Sequence, residues 1–316
     1  MKAKVKRTGE EKKALRKRIR QYKIQYLFLV PAFVAVILFS YIPMAGVVMS
    51  FMDYDILKGP FRSPWVGFEH FQEFLTDPEF WQALKNTVGI NGLSIIFGFP
   101  LPIIVAIAIF STKDGPFKRV TQTISYLPHF VSWVVVGGLV YKLLDENTGA
   151  INTLIQACGG EPIAFMRDPG WFWPVIIITC IWKELGWNTI IYLAALSGID
   201  SEQYEAALVD GAKSWQRLVY ITLPSILPIV GLMLIMTVGN LINANGSASF
   251  DAVYNLRNAL TASSSDTLDY YIFSQGIQHN EYSYAAALGL VQGLVSLVLV
   301  MTANGISRKT QGYGAF

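Results

Sequence analysis

What most constrains this chain is a series of six long apolar stretches, at residues 26–51, 87–110, 122–144, 171–196, 223–243 and 285–306. A helix rises about 1.5 Å per residue, so about 20 mostly apolar residues are needed to cross the hydrocarbon of a bilayer. All six stretches reach that length. A membrane strand needs only about 9–11 residues, so the lengths predict helices and exclude a β-barrel. The expected fold is all-α: a polytopic integral membrane protein with about six spans. Pro31, Pro43, Pro100, Pro102, Pro128 and Pro228 fall inside the stretches. Membrane helices accept proline because neighbouring helices re-satisfy the freed backbone groups. Charged residues are 15% of the chain, against roughly 25% in soluble domains, so most of the surface is expected to face lipid or protein.

Lysine and arginine set the orientation, because cytoplasmic segments retain them. With the amino terminus inside, segments 1–25, 111–119, 197–222 and 307–316 hold 18 of the 25 basic residues. Six spans then return the carboxy terminus to the cytoplasm. The first stretch is too long for a signal h-region of about 7–15 residues and lacks a small-residue cleavage site, so it is expected to stay as an anchor. The basic tail 1–25 reads as a positive-inside anchor that touches anionic lipid, with no nucleic acid implied. The expected organisation is this tail, one transmembrane domain over 26–306 with core helices at about 84–306, and a short cytoplasmic end at 307–316. The outer loops 52–86, 145–170 and 244–284 are each too short for a separate binding domain of about 100 residues. No repeat of 20–50 residues is visible. Cys158 falls in an outer loop and Cys180 inside a span. Both read as small apolar residues.

The cytoplasmic loop at 200–224 carries the most specific pattern. Asp200 with Gln203 fits a capping box and opens a short helix over 202–209. Asp210-Gly211 is expected to break it, with glycine taking the unusual backbone angle and Asp210 capping the next helix. That second, amphipathic helix is expected over 212–221, with Trp215, Leu218, Val219 and Ile221 apolar. Leu223-Pro224 then starts the next span, proline suiting a first helical turn. By periodicity alone this is a bent amphipathic connector under the membrane.

In residue detail the loop resembles the coupling motif of binding-protein-dependent, type I ABC importer permeases. Glu205-Ala206-Ala207, Asp210-Gly211-Ala212 and Leu223-Pro224 match in register. The resemblance covers nearly the whole chain and is to the MalF-type sugar permeases, above all those importing oligosaccharides and polysaccharide fragments. It is also carried by Tyr41-Ile42-Pro43, Ser63-Pro64-Trp65-Val66-Gly67-Phe68, Leu127-Pro128-His129-Phe130 and Phe250-Asp251-Ala252-Val253. Asn258-Ala259, where relatives often have Asn-Pro, and the stretch 245–249 depart from the family pattern.

The resemblance implies a membrane subunit that pairs with a second permease as a heterodimer in the bacterial inner membrane. It further implies two ATPase subunits gripping the loop of each permease, and an extracytoplasmic sugar-binding protein delivering the carbohydrate. This chain has no Gly-x-x-x-x-Gly-Lys-Ser/Thr loop. ATP and magnesium are therefore expected in the partner ATPases, with no cofactor, metal site or catalytic residue here, so the chain is not itself an enzyme.

Polar residues at membrane depth are functional candidates. Thr237, Asn240 and Asn243 form an i, i+3 row, expected on one helix face. An amide both donates and accepts, which suits sugar hydroxyls, and interhelical hydrogen bonding is the competing reading. In the maltose permease, paired asparagines at a similar distance beyond the coupling motif contact the sugar, which favours Asn240 and Asn243. On the preceding span Glu184, Trp187 and Asn188 are the candidates. Trp187 matches a position where the family places an aromatic against sugar. Lys183 and Glu184, being adjacent, are not expected to face each other; Lys183 would favour an acidic sugar or pair internally, and Glu184 would bind a hydroxyl or pair with a basic group of the partner subunit. Gln122, His129 and Gln292 read as packing or gate groups.

Two other classes compete with an ABC permease. A secondary solute transporter would need coupling-ion carboxylates near the midplane, and Glu184 is the one clear intramembrane carboxylate. A membrane-embedded glycan enzyme would need paired carboxylates or a metal cluster, and neither pattern appears.

Overall fold

The computed structural model describes residues 17–18, 21–243, 246, 248–312 and 314. Among them the six apolar stretches form five continuous helices and one broken one. The first span is Lys23–Phe51, the second Pro78–Ser111, the fourth Pro169–Ser197, the fifth Ser214–Gly239 and the sixth Tyr282–Lys309.

The third span departs from the expected single helix over 122–144. It is two helices, Pro116–Phe130 and Trp133–Leu143, meeting at 101°. Pro128 sits in a short 3-10 turn at Leu127–Phe130, and Val131 and Ser132 are extended. Proline removes a helical donor and its ring crowds the carbonyl four residues back, so the ladder ends there. Ser132 restarts it by accepting the Val135 amide at 3.4 Å.

Prolines elsewhere are absorbed within the helix. The first span widens into a π-turn at Ile37–Tyr41 just before Pro43, and the fifth does so at Leu218–Thr222 just before Pro224. The extra residue per turn relieves the clash without ending the helix. The second span begins well before the expected residue 87. Asp77 caps it by accepting the Glu79 amide at 2.8 Å, and Phe80 and Ala83 are buried.

The fourth span is the centre of the bundle. Its first half packs in a cluster with Phe172, Ile176 and Cys180, and its second half with Tyr192 and Leu196 against Ala106 and Ile226. A Cβ on Gly186 would lie 1.9 Å from the Ser125 carbonyl oxygen. Only glycine therefore lets the third and fourth spans approach this closely. The first span is the opposite case: none of the residues of its Lys23–Val36 helix is buried.

Residues 248–284, within the segment expected as an outer loop, fold back against the spans. Within Phe250–Leu256, Ala252, Val253 and Leu256 are fully buried against the fourth span, and Leu268 and Tyr271 pack on the second and sixth. The i, i+4 spacing of Ala252 and Leu256 gives that helix an apolar face. Asn258 ties the segment down, its amide donating to the Met166 carbonyl at 2.7 Å and to the Tyr141 hydroxyl at 3.1 Å.

Candidate functional site

Two features stand out, the loop at 200–224 and a cavity among the spans. In the loop, helix Ser201–Val209 is capped by Asp200, whose carboxylate accepts the Glu202 amide at 3.0 Å. Its end is a glycine-closed turn. Gly211 has φ +75°, its amide donates to Leu208 O at 3.0 Å, and the Ala212 amide donates to Ala207 O at 2.8 Å. This is the Schellman arrangement, which needs the left-handed conformation that glycine adopts without strain.

Asp210 therefore ends the first helix and does not cap the second. The second helix starts at Ser214, after Lys213 donates its amide to Gln216 Oε1 at 2.7 Å, and runs on through the π-turn into the fifth span. The separate helix expected over 212–221 is thus an extension of that span, with Leu223 and Pro224 inside it. Glu205 and Ala206 are exposed and Ala207 is half-buried. Leu208, Val209 and Trp215 are exposed apolar side chains at the same end.

The cavity has a volume of about 320 Å³ and lies among the second, third, fourth and fifth spans. Glu184 and Asn188 face it from the fourth span, Thr237 and Asn240 from the fifth. Trp187 and Asn243 are not among its lining residues. Asn240 and Asn243 do not continue a helix face, because the helix ends at Gly239 and Asn240 is its C-terminal cap. The chain turns instead, and the Asn243 amide donates to Asn240 Oδ1 at 3.2 Å and to Ser296 Oγ at 3.3 Å.

Side chains of two other spans support this turn. Asn91 donates to Leu241 O at 2.8 Å and accepts the Ala248 amide at 3.0 Å. Gln292 donates to Ile242 O and, at 2.9 Å, to Asp269 Oδ1. Non-helical backbone inside a membrane bundle must find such partners. Asn91 was not singled out by sequence reasoning. Its signal is an asparagine deep in an apolar stretch, at a depth where amides are rarely idle.

The break in the third span sits beside Glu184. His129 Nδ1 is 2.8 Å from Glu184 Oε2, and the His129 ring lies flat on Trp187 with centres 4.3 Å apart. Lys183 and Glu184, expected to diverge, come within 3.6 Å because both long side chains bend toward the break. Lys183 is buried and donates to the His129 carbonyl at 2.6 Å, so it is not turned to an acidic ligand. Among the described residues no group of three or more His, Cys, Asp or Glu could hold a metal ion.

A bundle of membrane-length helices with one broken span, a cavity that carries polar groups on the central helices and an exposed connecting helix is the architecture of a membrane transport subunit. The chain belongs to the family of binding-protein-dependent transport system inner membrane components, whose model matches residues 98–311. It is 40% identical over 298 residues to protein LplB of Bacillus subtilis (strain 168), covering 94% of this chain and 92% of that one. It is 39% identical over 300 residues to the polygalacturonan/rhamnogalacturonan transport system permease protein YteP of the same organism, covering 95% and 92%. Among solved structures it is similar to a chain of a bacterial alginate ABC transporter in complex with alginate pentasaccharide-bound periplasmic protein. The TM-score is 0.85 and the identity 36%, over 95% of this chain and 99% of that chain. The all-α fold is thus that of a type I ABC importer permease, and the chain is a transport permease.

Proposed function

We propose that this chain forms half of the translocation pathway of an ATP-driven importer of a carbohydrate, an oligosaccharide, and that the cavity is its sugar-binding part. The observation that carries this is the convergence of Glu184, Asn188 and Asn240 from two spans on one cavity. Sugar hydroxyls donate and accept, so amides and a carboxylate together satisfy them. Trp187 and Asn243 serve the same site from behind, beside His129 and Asn240 respectively. Two of the similar proteins carry polysaccharides in their names, polygalacturonan/rhamnogalacturonan and alginate, which supports the substrate class.

A second, different permease completes the pathway, and the unburied first span is suited to pack on it. Two ATPase subunits, which bind the ATP and magnesium, grip the loop at Glu205, Ala206, Ala207, Asp210, Gly211 and Ala212. Closure of the ATPases on ATP moves the loop, and through Leu223-Pro224 the fifth span. The cavity then turns from one side of the membrane to the other. An extracytoplasmic binding protein presents the sugar. Both termini lie in the cytoplasm, and the membrane is the bacterial inner membrane.

The test is affinity purification of the tagged chain from its host, followed by reconstitution in liposomes. The expected result is co-purifying ATPase and second-permease subunits and ATP-dependent uptake of an oligosaccharide. Uptake driven by an ion gradient without any ATPase would overturn the reading in favour of a secondary transporter.

A further inference from the structure

His129 is held in three ways at the break of the third span. Its ring lies parallel to Trp187, with planes 4° apart and centres at 4.3 Å. Its Nδ1 meets Glu184 Oε2 at 2.8 Å. Its carbonyl accepts the Lys183 ammonium at 2.6 Å. Phe130 closes the group, edge-on to both rings. A carboxylate accepts and does not donate, so this contact fixes the His129 proton on Nδ1.

Among the described residues, Glu184 is the one acidic side chain facing the cavity. Its Oε1 is 3.6 Å from Lys183 and its Oε2 is on His129. A carboxylate has about four acceptor positions, so capacity remains for a ligand hydroxyl. Left alone, a glutamate side chain samples many rotamers, and binding must then order it. Here the imidazole, itself immobilised against Trp187, does so beforehand.

We propose that His129 is a positioning residue of the carbohydrate site, setting the Glu184 carboxylate in the orientation that receives a sugar hydroxyl. Trp187 acts through it, one face of the indole bracing the imidazole. The proposal rests on the cavity being the carbohydrate site.

Two substitutions separate the contacts. His129→Phe keeps a flat ring on Trp187 and removes the nitrogen. His129→Asn keeps an amide donor near Nδ1 and removes the ring. The readout is KM and Vmax for ATP-dependent oligosaccharide uptake by the complete reconstituted transporter, with assembly checked by co-purification. His129→Phe should raise KM about three- to tenfold with Vmax within about twofold, the size expected for releasing one ordered side chain. His129→Asn keeps the donor but loses the ring braced on Trp187, so its KM should fall between those of wild type and His129→Phe. In a Glu184→Ala background, which leaves no acceptor for Nδ1, His129→Phe should add nothing.

A wild-type KM in His129→Phe, beside a raised KM in Glu184→Gln, overturns the positioning role alone. So does an equal effect of Phe and Asn, or a lowered Vmax at unchanged KM. If Glu184→Gln and Asn240→Ala both leave KM unchanged, the carbohydrate-site reading fails and the positioning role falls with it. Should His129→Phe not assemble, His129→Leu carries the same KM expectation.

Discussion

The Tyr204 hydroxyl lies 2.9 Å from the Thr222 hydroxyl oxygen, tying the loop helix to the base of the fifth span. Thr222 is buried and also donates to the Arg217 carbonyl at 3.3 Å. The Tyr204 ring packs 6.4 Å from Phe110 at the C-terminal end of the second span. The loop helix is therefore fastened to two spans through Tyr204 and does not hang free. A push on the loop reaches the fifth span through a bond as well as through the chain.

Removing that bond should loosen coupling without preventing assembly. A net hydrogen bond is worth about 1 kcal/mol, which corresponds to about a fivefold change in an equilibrium. Tyr204→Phe is expected to lower the number of sugars transported per ATP hydrolysed by roughly that factor. Proteoliposome uptake and phosphate release, measured together, give the ratio, and an unchanged ratio would remove Tyr204 from the coupling path.

The loop's turn can be tested at Gly211. Gly211→Pro fixes φ near −65° where the chain has +75°, and it deletes the amide bonded to Leu208 O. Glu205→Lys changes only an exposed side chain. Both should insert in the membrane normally and abolish transport, whereas Gly211→Ala should cost about 1–2 kcal/mol locally and retain some transport. Substrate-stimulated ATPase is the check, and its persistence at wild-type level in either of the first two would contradict the assignment of the loop.

The turn after the fifth span should depend on Asn91. Asn91→Leu leaves Leu241 O and the Ala248 amide without this partner, at about 1–3 kcal/mol for each buried group. Asn91→Asp keeps the acceptor and loses the donor, so its effect should be smaller. Asn240→Ala with Asn243→Ala should impair uptake more than assembly. Thermal unfolding in detergent, set beside uptake kinetics, distinguishes the two: a lower Tm for Asn91→Leu, and an almost unchanged Tm with raised KM for the double alanine.

Close packing of the third and fourth spans should fail at Gly186. A Cβ there meets the Ser125 carbonyl at 1.9 Å, whereas one on Gly138 meets nothing within 4 Å. Gly186→Val is expected to reduce the yield of folded subunit severely, and Gly138→Ala to leave it intact. Fluorescence-detected size-exclusion profiles of the two variants report this directly. Equal profiles would mean that the spans separate at no cost.

How much was legible in the sequence depended on the range of the interactions. The first half of the loop at 200–224 was readable because its determinants are local: Asp200 caps a helix two residues on, and Gly211 closes it over five. The spans were readable because apolar length is a chain-level property. The break at Val131–Ser132 was not, because apolar composition continues through Trp133, Val134 and Val135, and only two extended residues part the halves. Segment 244–284 looked like a loop because Ala252, Val253 and Leu256 alternate with Asp251, Tyr254 and Asn255, hiding one buried face in a polar average. The pairing of His129 with Glu184 joins residues 55 apart in the chain. Nothing near either residue announces the other, so His129 read as a packing or gate group. Glu184, Asn188 and Asn240, which line the cavity, could be singled out because polarity at membrane depth is expensive wherever it occurs.

The unburied first span has a consequence for how such a subunit meets its partner. It holds 29 residues, about 43 Å of helix, attached to the bundle near Phe51 and free of buried contacts over Lys23–Val36. Lipid imposes no hydrophobic penalty on that exposure, so the helix needs no cover from its own bundle to stay in the membrane. A second protein packed against it would be held within reach of the bundle, and any further contact would form at a high effective concentration.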